Sequence, residues 1–229
     1  MNTIAENLRV LREAVSEACL RAGRNEQDIR IIAVSKTMST AKIQDAANAG
    51  LTTFGENYVQ EALEKIHSLP PDIHWHFIGN IQKNKVKHIV RSFELIHSVG
   101  SRETAAGIDR RAAQADYIQP VLFEINIAGE TTKSGFSPDE FSEALEFLAA
   151  LKHIRPAGLM TMPPPTDNET ELSGYFAGLR RLRDSIAAKG VFGSGFRELS
   201  MGTSSDYKIA IKEGATMIRV GTLLFGPRG

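Results

Sequence analysis

Residues 29–37 read Ile29-Arg30-Ile31-Ile32-Ala33-Val34-Ser35-Lys36-Thr37. The run to Val34 is β-branched and too brief for a good helix, so it reads as a strand buried on both faces. Strands of that kind belong to parallel sheets covered by helices, and the flanking sequence supplies the helices. Downstream, the spacing predicts a helix over 40–49 stopped by Gly50, a strand over 52–55, and a helix over 58–68 closed by Pro70-Pro71. Strands over 74–78 and 94–98 bracket a helix over 82–91. Ser101 caps a helix running to 115, and a strand covers 120–127. Ser137 at the cap and Pro138 at the first helical position start a helix that ends near 151. A strand over 155–160 leads into Met162-Pro163-Pro164-Pro165, which must be a loop because neither a helix interior nor a ladder accepts three prolines. A helix over 169–189 and strands over 198–201 and 216–220 follow. Eight strands alternating with helices predict an α/β fold, a single (β/α)8 barrel of TIM type, with residues 1–229 as one domain. Upstream, 3–21 sets Ile4, Leu8, Leu11, Val15 and Leu20 near helical spacing, with Gly23 as the stop. The chain ends at Gly229, which leaves no room for a helix after strand eight, so this N-terminal helix is expected to complete the outer ring.

Composition narrows the function classes. The 229 residues carry 27 basic and 27 acidic side chains, so net charge offers no argument for nucleic-acid or membrane partners. Cys19 is the only cysteine, which excludes an internal disulfide and fits a reducing compartment. It lies on or near the apolar face of the first helix, as a small hydrophobe would. The N-terminus lacks a signal-peptide pattern, and no apolar run approaches the roughly 18 residues a span needs. A cytoplasmic protein is expected.

Barrel sites gather where strands end, in the βα loops. Lys36 directly follows strand one. Partial desolvation there would lower its pKa and free the amine to attack a carbonyl; a snorkelling or ion-paired lysine is the plain alternative. The loops after strands seven and eight are where such barrels bind phosphate. They offer Ser200, Gly202, Thr203, Ser204 and Ser205, then Gly221 and Thr222. Glycines admit backbone N–H groups to an anion, hydroxyls add donors, and a helix N-terminus favours negative charge; ordinary Ser/Gly turns are the alternative. Asp206 would repel a phosphate and is assigned to capping the short helix it begins. Arg219 precedes the second loop, and on position alone a surface or ion-paired role is the commoner one.

The motifs, taken in order, resemble the pyridoxal 5′-phosphate (PLP) homeostasis proteins. They are Ala33-Val34-Ser35-Lys36-Thr37, Phe54-Gly55-Glu56-Asn57-Tyr58-Val59-Gln60-Glu61, and Trp75-His76-Phe77-Ile78-Gly79 through Gln82, Asn84 and Lys85. Lys133-Ser134-Gly135, Gly158-Leu159-Met160, Ser200-Met201-Gly202, and Arg219-Val220-Gly221-Thr222 with Phe225-Gly226 continue the series. That family in turn resembles the barrel domain of fold-type III PLP enzymes such as alanine racemase. The resemblance implies PLP as cofactor, held as a Schiff base on Lys36, with Asn57 beside the ring and Arg219 facing the pyridine nitrogen. Ser200, Gly202, Thr203, Ser204, Gly221 and Thr222 would surround the phosphate, although the family usually has methionine where this chain has Thr203. An arginine at the ring nitrogen donates but cannot accept its proton, which weakens the cofactor as an electron sink. Racemases of this class add a tyrosine base from a second domain, which this chain is not expected to have. The resemblance therefore implies a monomeric carrier that buffers PLP and delivers it to PLP-requiring apo-enzymes. A weak amino-acid racemase and a Schiff-base aldolase are the alternatives.

Other features weigh less. His74 and His76 share one face of a strand, a spacing metals can use, but no carboxylate or cysteine completes a ligand set and no metal is expected. Lys83, Lys85, Lys87 and His88 read as a solvated face. Lys133 could offer PLP in transit a second amine.

Overall fold

The computed structural model describes residues 3–130 and 134–226. Lys133 lies outside the described residues. Eight parallel strands close into a barrel in chain order: β1 (Arg30–Val34), β2 (Thr53–Glu56), β3 (His74–Phe77), β4 (Leu95–Val99), β5 (Gln119–Glu124), β6 (Ile154–Met160), β7 (Glu198–Ser200) and β8 (Met217–Val220). Closure is made at β1, where Ala33 pairs with Phe54 on β2 and with Val220 on β8. Around the barrel stand α1 (Ile4–Arg21), α2 (Thr40–Asn48), α3 (Val59–Ser68), α4 (Val86–Ile89), α5 (Arg102–Gln114), α6 (Pro138–Ala149), α7 (Glu169–Ala188), α8 (Tyr207–Lys212) and α9 (Thr222–Phe225).

Local chemistry sets the helix starts. Thr3 with Glu6 and Ser137 with Glu140 form reciprocal capping boxes, and Ser101 accepts from the Thr104 N–H at 3.1 Å. Three expectations change. The helix expected over 82–91 is a 3-10 turn at Lys83–Lys85 followed by the single turn α4. Within α4 only Val86 and Ile89 are buried, the like-charged lysines lend no mutual support, and Arg91 turns the chain with φ of +69°. After β8 a one-turn helix, α9, does form, and α1 packs over it, with Asn7 Nδ2 donating to the Leu224 carbonyl at 2.9 Å. Against α2, α8 and α9, α1 fills the place expected for it in the outer ring. Leu20 is 81% exposed, whereas Ala18 and Cys19 are buried, because the stripe through Leu8, Leu11 and Val15 continues to 18 and 19.

The core divides into two parts. The larger fills the layer between strands and helices; a smaller set inside the barrel comprises Ile32, Leu95, Leu122, Met160 and Met217. The period of two along a strand then assigns every other residue. Ser35 and Glu56 face the helix layer, where the Ser35 hydroxyl donates to Glu56 Oε1 at 2.7 Å. Lys36 lies two residues past Val34, in the turn that leaves β1. His76, His97, Ser200 and Arg219 point into the barrel.

Candidate functional site

Arg219 organises the barrel interior. It is 4% exposed, its Nη1 donates to Ser200 Oγ at 2.6 Å, and its Nη2 donates to the Thr161 carbonyl at 2.9 Å. Burial lowers its pKa to about 10, with Asp206 and Glu124 opposing that shift, so it remains a cation at neutral pH. A surface role, one of the two that position alone favoured, is thereby corrected: the side chain points inward from β8 and is buried.

The guanidinium also fixes the direction of a hydrogen-bond chain, because it can only donate. Ser200 Oγ accepts from Arg219, which leaves its own proton for His97 Nδ1 at 2.9 Å. His97 Nε2 then donates to His76 Nδ1 at 3.0 Å, and His76 keeps a proton on Nε2, buried with no partner among the described residues. Burial first, and then neighbouring cations, drives the His76 pKa down to about 3 and that of His97 well below its ordinary value. Both rings are neutral at physiological pH. Sequence reading missed His97, although a histidine alternating with Leu95 along a strand was the available signal. It also placed Ser200 at the phosphate. The Ser200 hydroxyl is fully buried and bonds Arg219 and His97.

His74 shares the inward register of His76 but sits on the opposite rim, where Glu94 meets it at 2.5 Å. The nearby carboxylate that the sequence did not reveal is therefore present, yet no three metal-ligating side chains cluster among the described residues. Lys83 and Lys87 line a separate cleft outside the barrel with Arg110 and Arg111.

At the mouth, the loops after β7 and β8 meet. The Gly221 N–H donates to Ser204 Oγ at 3.2 Å, tying the two loops together, and Gly221 caps α9 ahead of Thr222. Gly202 has φ of +92°, and a Cβ there would stand 2.6 Å from Ala210 Cβ. Only glycine fits. Gly202→Ala is expected to lower stability by about 2–4 kcal/mol through left-handed strain and overpacking against α8, read by urea unfolding of the cofactor-free protein. Asp206 occupies the N-cap position of α8, but its side chain makes no cap. It turns back to accept from the Thr203 N–H and from Thr203 Oγ1, the latter at 2.9 Å. The capping role is thus corrected, since the preceding turn offers nearer donors, and the Thr203 N–H expected at the phosphate is engaged by Asp206. Beside these loops lies a cleft of about 510 Å³, bounded by Met162, Pro164, Gly202, Thr203, Asp206 and Arg219, within the size range of small-molecule sites.

Residues 1–229 match the family model described as alanine racemase, N-terminal domain. The pyridoxal phosphate homeostasis protein of Aquifex aeolicus is 42% identical over 229 residues, covering 100% of this chain and 99% of that protein. Its counterpart in Pseudomonas aeruginosa is 39% identical over 231 residues, covering 100% and 97%. The chain belongs to the pyridoxal phosphate homeostasis protein family. Among solved structures, PipY of Synechococcus elongatus PCC7942 with PLP bound superposes with a TM-score of 0.85 at 35% identity, covering 98% of this chain and 100% of that one. An alanine racemase from Clostridium difficile 630 has a TM-score of 0.77 at 18% identity, covering 97% and 57%, a likeness of fold.

The mouth has the donor set that the family's cofactor requires. An aldehyde-bearing aromatic phosphate needs an amine, a donor for its ring nitrogen and an anion cradle. Lys36 sits in the turn that leaves β1, Arg219 is a fixed cation beneath the mouth, and the Gly202 and Gly221 loops are joined at the starts of α8 and α9. Asn57 Oδ1, one step beyond β2, is buried with no partner among the described residues, as expected of a group waiting for a ligand.

Proposed function

We propose that this protein holds pyridoxal 5′-phosphate covalently on Lys36, buffering the cofactor and delivering it to PLP-requiring apo-enzymes rather than consuming it in turnover. When bound, the cofactor supplies an aldehyde carbon that condenses with a primary amine, with loss of water. Lys36 supplies that amine from the end of β1. Gly202, Ser204, Gly221 and Thr222 hold the phosphate by backbone N–H groups and hydroxyls, and Asn57 flanks the ring. Thr203 joins them only if Asp206 releases its N–H.

One observation carries the choice of holding over catalysis: the buried, donor-only guanidinium of Arg219, held by Ser200 and Thr161. It keeps a proton of its own and takes none, so a ring nitrogen facing it stays unprotonated, and the pull on substrate electrons is weak. The neutral His97 and His76 behind it offer no cation to change that. We further read residues 1–229 as one unit acting as a cytoplasmic monomer; no helix among the described residues is long and apolar enough to cross a membrane. The decisive experiment is transfer from the loaded protein to an apo-enzyme with a scavenger present for free PLP. Reactivation that survives the scavenger supports delivery. Amino-acid racemisation at ordinary turnover, about 1–10³ per second, would replace the carrier role with an enzymatic one.

A further inference from the structure

A buried charge cluster lies directly behind the Lys36 turn, in the layer between β1, β2 and α3. Lys65, on α3, is 5% exposed, yet its ammonium has three acceptors: Glu56 Oε1 at 2.7 Å, Glu61 Oε1 at 2.6 Å and the Ser35 carbonyl at 2.8 Å. All three of its protons are used. The same two carboxylates also reach the turn. Glu56 Oε1 accepts from the Ser35 hydroxyl at 2.7 Å, and Glu61 Oε1 accepts from the Thr37 N–H at 2.6 Å. The cluster therefore grips the residue on each side of Lys36 and closes on itself through Lys65.

The turn needs such a grip. Thr37 has φ of +65°, a left-handed conformation that costs a β-branched residue of the order of 1–2 kcal/mol and persists only where its surroundings enforce it. Stability of the fold is a poor reason for the cluster, since well-packed apolar residues often replace buried ion pairs without loss. Among the described residues, every side-chain hydrogen bond it makes outside itself falls on residues 35 and 37. We propose that Glu56, Lys65 and Glu61 are positioning residues for Lys36, locking the Ser35–Thr37 turn so that the amine stands ready over the site where an aldehyde carbon binds. This rests on the cofactor-holding role proposed above. In the step concerned, the amine nitrogen adds its lone pair to the aldehyde carbon, a C=N bond replaces C=O, and the oxygen leaves as water with two protons from the amine. Release runs the same step backwards and consumes the water.

Glu61→Ala is the primary test. Glu61 is the most exposed member, and its loss leaves the Glu56–Lys65 pair intact. The rate of covalent capture, followed by absorbance after mixing with PLP, is expected to fall about ten- to a hundredfold, the size of effect produced by misplacing a reacting group by about 1 Å. Pyridoxine 5′-phosphate carries an alcohol in place of the aldehyde, so its affinity reports the noncovalent contacts to ring and phosphate without the covalent step and is expected to stay unchanged. Glu61→Gln keeps an acceptor for the Thr37 N–H and is expected to recover most of the rate. Capture by Glu61→Ala at the unsubstituted rate overturns the proposal. So does a parallel loss of pyridoxine 5′-phosphate affinity, or a Glu61→Gln variant as slow as Glu61→Ala. Borohydride reduction of the unsubstituted protein separates the two levels: no pyridoxyl adduct at Lys36 removes the holding role itself, whereas an adduct with unchanged kinetics in Glu61→Ala removes only the positioning role.

Discussion

Lys36→Ala is expected to abolish covalent retention of PLP while leaving the barrel folded. Lys36 is half-buried and belongs to neither core cluster. The contacts that shape its turn belong to Ser35 and Thr37: the Lys65 bond to the Ser35 carbonyl, the Ser35 bond to Glu56, and the Thr37 bond to Glu61. Alanine keeps all three. The stability cost should be smaller than that of a core truncation, because no core cavity opens. The functional cost should be complete: no yellow protein and no borohydride-fixed adduct at residue 36. Reversible binding through the Gly202–Gly221 loops should remain, visible as competition by pyridoxine 5′-phosphate. An adduct of unchanged yield on another lysine of the variant would move the covalent site away from β1.

The contrast between what the chain states locally and what only closure reveals explains which parts of this site could be read in advance. Ile29–Val34 and the seven apolar runs after it declare strands whatever their neighbours do, so strand order and the barrel followed from spacing. Lys36, Arg219, Gly202 and Gly221 stand at strand ends, and strand ends become one mouth as soon as the barrel closes. Other roles depend on which face a residue presents and on partners far away in sequence. Ser200 was read as a phosphate donor because serine beside glycine usually is one. The bonds that only closure reveals are those to His97, more than a hundred positions earlier, and Arg219. Asp206 was read as a cap because it precedes a helix, but the Thr203 turn offers its carboxylate closer donors. The Glu56–Lys65–Glu61 cluster was hidden for the same reason. Glu61 and Lys65 are four apart on α3 and resemble any surface pair, and only the outward register of β2 brings Glu56 beneath them.

The interior histidines give the second large effect, on stability against pH. His76 has a folded pKa of about 3 against an ordinary 6.5, and His97 lies well below its own ordinary value, burial being the leading cause for both. In the unfolded chain both bind protons as pH drops through about 6.5; in the barrel neither does. The unfolded state therefore holds more protons between 6.5 and the folded values, and stability is lost as pH falls across that window. Each histidine contributes a slope approaching about 1.4 kcal/mol per pH unit once its unfolded form is fully protonated. Over one full unit the pair is then comparable to a substantial fraction of a domain's stability, about 5–15 kcal/mol. Neighbouring charges reinforce the sign: Arg30 and His74 act on His76, while Arg219, Arg30 and His76 act on His97. Between pH 6.5 and 5 most carboxylates stay ionised in both states; burial raises the pKa of Glu56 and Glu124, so the histidines are isolated by comparing urea unfolding of two proteins that share those carboxylates. The expected result is a steep fall in midpoint towards pH 5, and a much shallower one in a His76→Gln/His97→Gln double variant, whose amides carry no titrating proton. Equal slopes in the two proteins would mean that the rings take up protons inside the barrel, and the neutral, one-directional chain behind Arg219 would have to be abandoned.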